Sequence, residues 1–191
     1  MTRKLFLLGI ALSLVVGLLA SCGGAKKADL DAAKAQVTTL QSQLSVANAA
    51  KTTADANKAL VRRYYVAVNR GDPNALDELF SPNYKRYLSA TAAPLTADGQ
   101  KQRLAGLRAA FPDLQLTVED IIAEGDRVAV NLTARGTHRG TFQGIAPTGK
   151  TVTVSAFEVV RIENGKLVEH WGGPDTLNLL QQLGAVISAG K

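Results

Sequence analysis

The pattern of apolar and polar positions divides the chain into three parts. A short basic start, Met1-Thr2-Arg3-Lys4, precedes a largely apolar run over residues 5–20. Those 16 residues are short for a membrane-spanning helix, which needs about 20, and the combination is typical of a secretory signal peptide. Heptad-like spacing follows, and then helical and alternating periods. We therefore predict a signal peptide over 1–21, a tether and helical stalk over 22–58, and a folded domain over 59–191.

The predicted stalk carries apolar residues at alternating spacings of three and four. They are Leu30, Ala33, Val37, Leu40, Leu44 and Ala47. This spacing is that of a coiled-coil seam, but a stable coiled coil usually needs three or four heptads. We expect an amphipathic helix of about 30 residues. A solvated spacer and a self-associating helix that makes a homo-oligomer both stay open.

The domain begins with helical periods and changes to strand-like periods after Pro112. Helices are predicted over about 59–70, 73–80, 96–111 and 175–183, with Asp72 and Thr96 as N-caps. A break is predicted at residues 81–83. Apolar and polar residues alternate over 114–122, 128–133, 152–162 and 166–171, which predicts strands. Helices followed by antiparallel strands and a final helix indicate an α+β domain.

Two details of the strand region affect the interpretation. The apolar phase of the third strand shifts near Phe157, which indicates a bulge or strong curvature. The segment Gly144–Thr151 matches the phosphate-binding pattern G-x-x-x-x-G-K-[ST]. That chemistry needs a helix after the loop, whereas alternating β-branched residues predict a strand there. We therefore expect a hairpin loop and no nucleotide site.

Charge and cysteine content exclude some classes of partner. Removing the signal peptide would lower the formal net charge from +6 to +4, and the basic residues are scattered, which argues against nucleic acid. The single cysteine, Cys22, allows no intrachain disulfide. The run Leu19-Ala20-Ser21-Cys22 resembles a bacterial lipobox. The resemblance implies lipid on Cys22 and an exported protein anchored to the cell envelope, at the outer membrane or cell surface. The alternative is an ordinary residue near a plain cleavage site.

Several short motifs resemble the SnoaL-like polyketide cyclase family, also called ester cyclases. They are Phe111-Pro112-Asp113-Leu114, residues 136–145, Pro147-Thr148-Gly149-Lys150, Gly165 to Trp171, and the ending D-x-L-x-x-L-Q-Q-L-G over 175–184. The resemblance implies the nuclear-transport-factor-2-like fold, a curved antiparallel sheet wrapped by helices into a cone with an apolar pocket. It also implies acid/base chemistry on a small apolar or carbonyl-containing ligand, with no metal and no cofactor.

The same resemblance suggests site residues. Asp175 falls at the position of the family's general acid/base, and the alternative is a plain helix cap. His138 corresponds to its pocket partner, with an exposed turn histidine as the alternative. The predicted ligand pocket contains Tyr64, Tyr87, Phe142 and Trp171, although core packing would also explain Trp171. Tyr87 stands where many members have a histidine, and it cannot act as a base near neutral pH. We expect His170 to be solvated.

Three functions compete on these observations. The first is a membrane-anchored enzyme that does cofactor-free acid/base chemistry on a carbonyl compound. The second is a lipoprotein that binds a small ligand without turnover, and the third is an envelope protein whose domain contacts other proteins. Asp175 and His138 favour the first, whereas Tyr87 and the predicted lipid anchor favour the others.

Overall fold

The computed structural model describes residues 27–185. The predicted signal peptide, Cys22 and residues 186–191 lie outside this range. The chain divides into two compact units, Met1–Ala50 and Lys51–Lys191. The described part of the first unit is helical and largely exposed, including Leu40 and Leu44 of the heptad-like series. Within residues 27–185, no helix combines the length and apolar character needed to cross a membrane.

Four helices occur in the described range. The first, α1 (Lys27–Arg70), is one uninterrupted element that includes both the predicted stalk helix and the predicted first helix of the domain. The others are α2 (Pro73–Leu79), α3 (Ala97–Ala110) and α4 (Thr176–Leu183). Asp72 caps α2 by accepting from the N–H groups of Asn74 and Ala75, and Thr96 caps α3. Both predicted caps are therefore confirmed.

Five strands form one curved sheet in the order β1-β5-β4-β3-β2. They are β1 (Phe80–Tyr87), β2 (Gln115–Glu124), β3 (Arg127–Thr137), β4 (Thr151–Glu163) and β5 (Lys166–Pro174). Four of them pair antiparallel as expected, and β4 begins at Thr151, which confirms a strand after the Gly144–Thr151 loop.

Strand β1 corrects the sequence prediction, which placed only a break at residues 81–83. It pairs parallel with β5 at the edge, so the sheet is mixed and not wholly antiparallel. The register shifts between Phe80 and Lys85, and Pro82 lies inside this irregular stretch. A proline is tolerated there because an edge strand does not need every N–H for pairing. Turn-forming residues therefore concealed a strand.

Strand β4 corrects one of the two alternatives predicted near Phe157, the bulge. Its burial alternates without interruption from Thr151 to Glu163, and its register with β3 is continuous. The register shift on its other side lies between Arg161 and Ile162. Phe157 is 65% exposed and its neighbour Glu158 is 9% exposed. The apparent change of apolar phase in the sequence therefore arises because a charged residue, Glu158, occupies an inward position of the strand.

The core of the second unit lies between the helices and the inward face of the sheet. One buried cluster joins Val61, Tyr64, Tyr65 and Val68 of α1 with strand residues such as Val128 and Val160. A second cluster joins Phe111, Val152 and Val154 with Leu179 and Leu183 of α4. The alternation of β3 and β4 supplies residues to both clusters, so the sheet connects them.

Candidate functional site

A cavity of about 700 Å³ opens on the inward face of the sheet. Its volume is within the range of small-molecule sites. The walls are mainly apolar and include Leu104, Leu107, Phe111, Leu114, Leu116, Leu132, Phe142, Val152, Val154, Ala156 and Leu179. Polar lining side chains include Tyr64, Tyr65, Arg86, Arg103, Arg135 and Glu158. The cavity can hold an apolar body and offers polar groups to it.

A buried ion pair forms the polar centre of the cavity. Arg86 on β1 is 1% exposed, and its Nη2 donates to Glu158 Oε1 at 2.7 Å and to the carbonyl of Gly172 at 2.9 Å. The β1–β5 register pairs Arg86 with His170, and the β4–β5 register pairs Glu158 with Gly172. Strand pairing therefore brings these inward side chains together. Because both charged groups are buried, each depends on the other to offset the cost of its removal from water.

Two further side chains hold Glu158 from the other side. Tyr65 donates its hydroxyl to Glu158 Oε2 at 2.6 Å, and His170 Nε2 lies 3.0 Å from the same oxygen. The Tyr84 hydroxyl lies 3.1 Å from His170 Nδ1. A neutral His170 with its proton on Nε2 satisfies both of its contacts, because it donates to Glu158 and accepts from Tyr84. His170 is fully buried, so the expectation of a solvated histidine is wrong.

The electrostatics agree with this assignment. Burial raises the pKa of Glu158, but His170, Arg86 and the Tyr65 hydroxyl outweigh it, and the net pKa is well below the ordinary value. Burial lowers the pKa of His170 more than Glu158 raises it. Burial also lowers the pKa of Arg86, but Glu158 reverses this, so the pKa of Arg86 is raised. Near neutral pH the centre therefore contains a carboxylate, a guanidinium and a neutral imidazole.

A second hydrogen-bonded chain links α1 to α3. Arg103 Nε donates to Gln100 Oε1 at 3.0 Å, and Gln100 Nε2 donates to the Tyr64 hydroxyl at 2.9 Å. Burial, followed by the charge of Glu158, raises the pKa of Tyr64 to about 12. The Tyr64 hydroxyl thus keeps its proton near neutral pH while it accepts from Gln100. Its own O–H is then available to donate.

Arg86 has donors that the protein does not use. Its Nε and Nη1 are buried, and neither has a hydrogen-bond partner among the described residues. Leaving a buried donor unsatisfied costs about 1–3 kcal/mol, more when it is charged. Because Arg86 lines the cavity, these nitrogens are suited to an acceptor atom on a bound molecule.

Asp175 caps α4. Its Oδ1 accepts from the Asn178 N–H at 3.0 Å, and its own N–H donates to the Ser155 carbonyl at 2.9 Å. The side chain is exposed, while its neighbours Pro174 and Thr176 both line the cavity. The capping role is therefore present, and the chain places Asp175 beside the cavity and outside the buried network. Its catalytic role stays a prediction.

His138 is fully buried and does not face solvent as an exposed turn histidine would. Its Nδ1 accepts from the Thr148 N–H at 3.3 Å, and its ring packs beside Phe111 and Phe142 with centroids 5.2 and 6.5 Å away. Those two phenylalanines line the cavity, whereas His138 is not among the lining residues. It supports the wall from behind, and its Nε2 has no partner among the described residues.

The four predicted pocket residues separate into two pairs. Tyr64 and Phe142 line the cavity. Tyr87 and Trp171 do not, and instead they stack on each other with centroids 5.4 Å apart. Adjacent strand residues point to opposite faces, and inward Arg86 and His170 precede them, so both rings lie on the outer face. The prediction that these two residues contact the ligand is therefore corrected.

The sequence pattern did not identify Tyr65, Arg86, Arg103 and Glu158 as site residues, and it placed His170 in solvent. The phase of β4 was the available signal, since it placed Glu158 among inward valines. Within residues 27–185, no cluster of three or more His, Cys, Asp or Glu side chains is arranged to hold a metal ion.

Comparison with known proteins agrees with the fold. The family model described as SnoaL-like polyketide cyclase matches residues 58–183. Nogalonic acid methyl ester cyclase from Streptomyces nogalater is 29% identical over 121 residues, covering 62% of this chain and 90% of the relative.

Two solved structures resemble the chain at higher identity. AclR from Streptomyces galilaeus, a proposed hydroxylase, is 36% identical with a TM-score of 0.64, over 71% of this chain and 89% of its own. IdmH from Streptomyces antibioticus, a proposed polyketide cyclase, is 34% identical with a TM-score of 0.62, over 67% and 98%. With the family model matching well over half of its length, the chain belongs to the SnoaL-like polyketide cyclase family.

Proposed function

We propose that the cavity binds a small carbonyl compound and catalyses a cyclase-like acid/base reaction at the carbon beside the carbonyl group, without a cofactor. The observation that carries this proposal is the buried Arg86, which is one of the lining residues and has two buried nitrogens without a partner among the described residues. Donors fixed in an apolar site stabilise a developing oxyanion because they need no reorganisation. An enolate oxygen is such an acceptor.

Arg86 and Tyr64 have the donor roles in this proposal. Both line the cavity, and each is held by the protein: Arg86 by Glu158 and Gly172, and Tyr64 by Gln100. The raised pKa of Tyr64, about 12, keeps its hydroxyl protonated. Both groups therefore donate to the carbonyl oxygen as it becomes negative.

Asp175 is the proposed proton acceptor. Glu158 is less suited, since Arg86, Tyr65 and His170 engage its oxygens and lower its pKa. Asp175 uses Oδ1 for the cap. In the proposed reaction, its carboxylate takes a proton from carbon and the electron pair moves to the carbonyl oxygen. The enolate carbon then attacks a second carbonyl, and the new alkoxide takes the proton back from Asp175.

His138 acts as a positioning residue here. It packs against Phe111 and Phe142 and is anchored to Thr148. A rigid wall keeps the ligand's reacting carbon in place, which is a requirement for proton transfer.

The test is proton exchange and ring closure in purified full chain, with nogalonic acid methyl ester as the probe in D₂O. Asp175→Asn should lower the rate about 10²–10⁴-fold with little change in melting temperature, since Asn caps as well as Asp. Asp72→Asn is the matched control, because Asp72 caps α2 in the same way and is not a lining residue. An Asp175→Asn variant as active as this control would exclude Asp175 as the base.

Binding without turnover is the second candidate. It is favoured by the state of Glu158. Within the described residues, Glu158 is the carboxylate that lines the cavity, and three donors already engage its oxygens. This candidate predicts that the wild-type chain binds the probe but leaves its α-deuterium content at the level of the buffer blank.

We also propose that the protein is lipid-anchored to the cell envelope. Support comes from the apolar run over 5–20, which ends in Leu19-Ala20 and is followed by Ser21-Cys22. Cys22→Ser should abolish incorporation of labelled fatty acid and release the protein from the membrane fraction, whereas Ser21→Ala should change neither. Acylated Cys22→Ser protein in the membrane pellet would contradict the proposal.

A further inference from the structure

The ionisable side chains that line the cavity do not balance in charge. Three guanidinium groups, of Arg86, Arg103 and Arg135, face one carboxylate, of Glu158. Glu158 is bonded directly to Arg86 and compensates it. Tyr64 stays neutral because its pKa is raised to about 12. The lining therefore has two guanidinium charges, those of Arg103 and Arg135, that no lining carboxylate balances.

Arg103 has the clearest unused binding capacity of these groups. It is half-buried on α3, and its Nε donates to Gln100. Among the described residues, no carboxylate lies within 4.0 Å of its guanidinium. Burial, and after it the charge of Arg86, lowers the pKa of Arg103. Its positive charge is thus destabilised in the protein alone, and a negative group placed against it would relieve that cost.

The apolar wall of the cavity indicates that the rest of the ligand is apolar. Leu104 and Leu107 follow Arg103 on the same helix and line the cavity with Phe111. A ligand that pairs with Arg103 therefore has its apolar body against α3. The buried nitrogens of Arg86 without a partner among the described residues are the donors assigned to a carbonyl oxygen under the proposed function.

We propose that the preferred substrate is a free organic carboxylate with an apolar, ring-sized body, and that Arg103 binds its carboxylate. The carboxylate assignment deepens the proposed function and rests on it. It also distinguishes this chain from its Streptomyces nogalater relative, which is named for a methyl ester. A guanidinium binds a carboxylate by charge-assisted hydrogen bonds, whereas an ester offers only neutral acceptors.

The experiment compares two probes that differ only in this group, anthracene-2-carboxylate and its methyl ester. Each is titrated calorimetrically into the purified full chain in detergent at pH 7.5, with titration into detergent alone subtracted. The acid should bind at least about tenfold tighter than the ester, in line with a charged hydrogen bond. Arg103→Gln should reduce this preference to about twofold or less while leaving ester affinity nearly unchanged.

Arg62→Gln is the matched control, since Arg62 is exposed on α1 and is not a lining residue. It should keep the wild-type preference, and near-equal melting temperatures would show that both variants fold. If the ester binds the wild type as tightly as the acid, the carboxylate assignment is wrong and the proposed carbonyl chemistry stands. If neither probe binds, the carboxylate assignment is also wrong, and the proton-exchange test with nogalonic acid methyl ester then decides the proposed function separately.

Discussion

Replacing Glu158 by glutamine should destabilise the second unit strongly. The change keeps the size of the side chain and removes the charge that compensates Arg86, which is 1% exposed and 2.7 Å from Glu158 Oε1. The glutamine amide also cannot accept from Arg86, Tyr65 and His170 as a carboxylate does. Breaking a buried pair by removing one partner costs about 3–5 kcal/mol. For a domain of this size, that corresponds to a fall in Tm of about 10–20 °C.

The assay follows urea unfolding by the fluorescence of Trp171, the single tryptophan in the chain. Trp171 lies on β5 beside His170, so its signal reports on the sheet that holds Glu158. Glu169→Gln is the matched control, because Glu169 pairs with Arg161 at side-chain exposures of 25% and 26%. Partly exposed pairs contribute about 1 kcal/mol or less. The control should therefore lose far less stability.

A double substitution separates charge from packing. Replacing Arg86 and Glu158 together by Leu removes both charges and leaves an apolar pair, which is often neutral or stabilising in comparison with the buried ion pair. The double variant should recover part of the stability that Glu158→Gln loses, and not all of it, because the Tyr65 hydroxyl and His170 Nε2 still lose their acceptor. If Glu158→Gln costs no more than Glu169→Gln, the buried pair does not stabilise the fold and the electrostatic account of the cavity is refuted.

Three other predictions concern pH, backbone and domain organisation. Because burial lowers the pKa of His170 in the folded state, the unfolded state binds its proton first, and stability should fall from pH 7 to 5.5 by up to about 1.3 kcal/mol. His170→Gln should abolish that loss, and an unchanged slope would contradict the neutral assignment. Gly172→Ala should cost over about 2 kcal/mol because the new Cβ would lie 2.0 Å from the Phe157 carbonyl at φ +94, whereas Gly173→Ala, with open space, should be nearly silent. A chain starting at residue 55 should unfold cooperatively by calorimetry, and a non-cooperative melt would show that the domain needs the preceding helix.

Periodicity predicted most helices and strands because it reports burial along one element. The N-caps at Asp72 and Thr96 were predictable for a related reason, since the side chain and the N–H it caps are neighbours in sequence. Strand β1 was not predictable in this way. Pro82 and its neighbours are turn formers, and their pairing with β5 depends on residues more than 80 positions later. Long-range parallel pairing leaves no local period to detect.

The site was harder to predict than the fold, because its residues are assembled by strand register. His170 follows the charged Glu169 in the sequence, and this favoured exposure. In the structure it lies in register with Arg86 of β1, and Glu158 accepts from it across the β4–β5 pair. Burial of a polar side chain is possible only where partners satisfy it. Those partners come from elements that a single strand's pattern does not include.

The parity of β4 nevertheless contained enough information to identify Glu158. A bulge adds one residue to a strand, so every inward position after it changes from even to odd numbers. In this strand Val154 is inward before Phe157, and Val160 and Ile162 are inward after it. All three are even, so no residue was inserted. The charged residue at the intervening even position must then point into the core, and a carboxylate there requires a cation or donors from other strands. Glu158 meets this requirement with Arg86, so the alternation of β4 alone is sufficient to predict that a buried cation or hydrogen-bond donors from other elements face it.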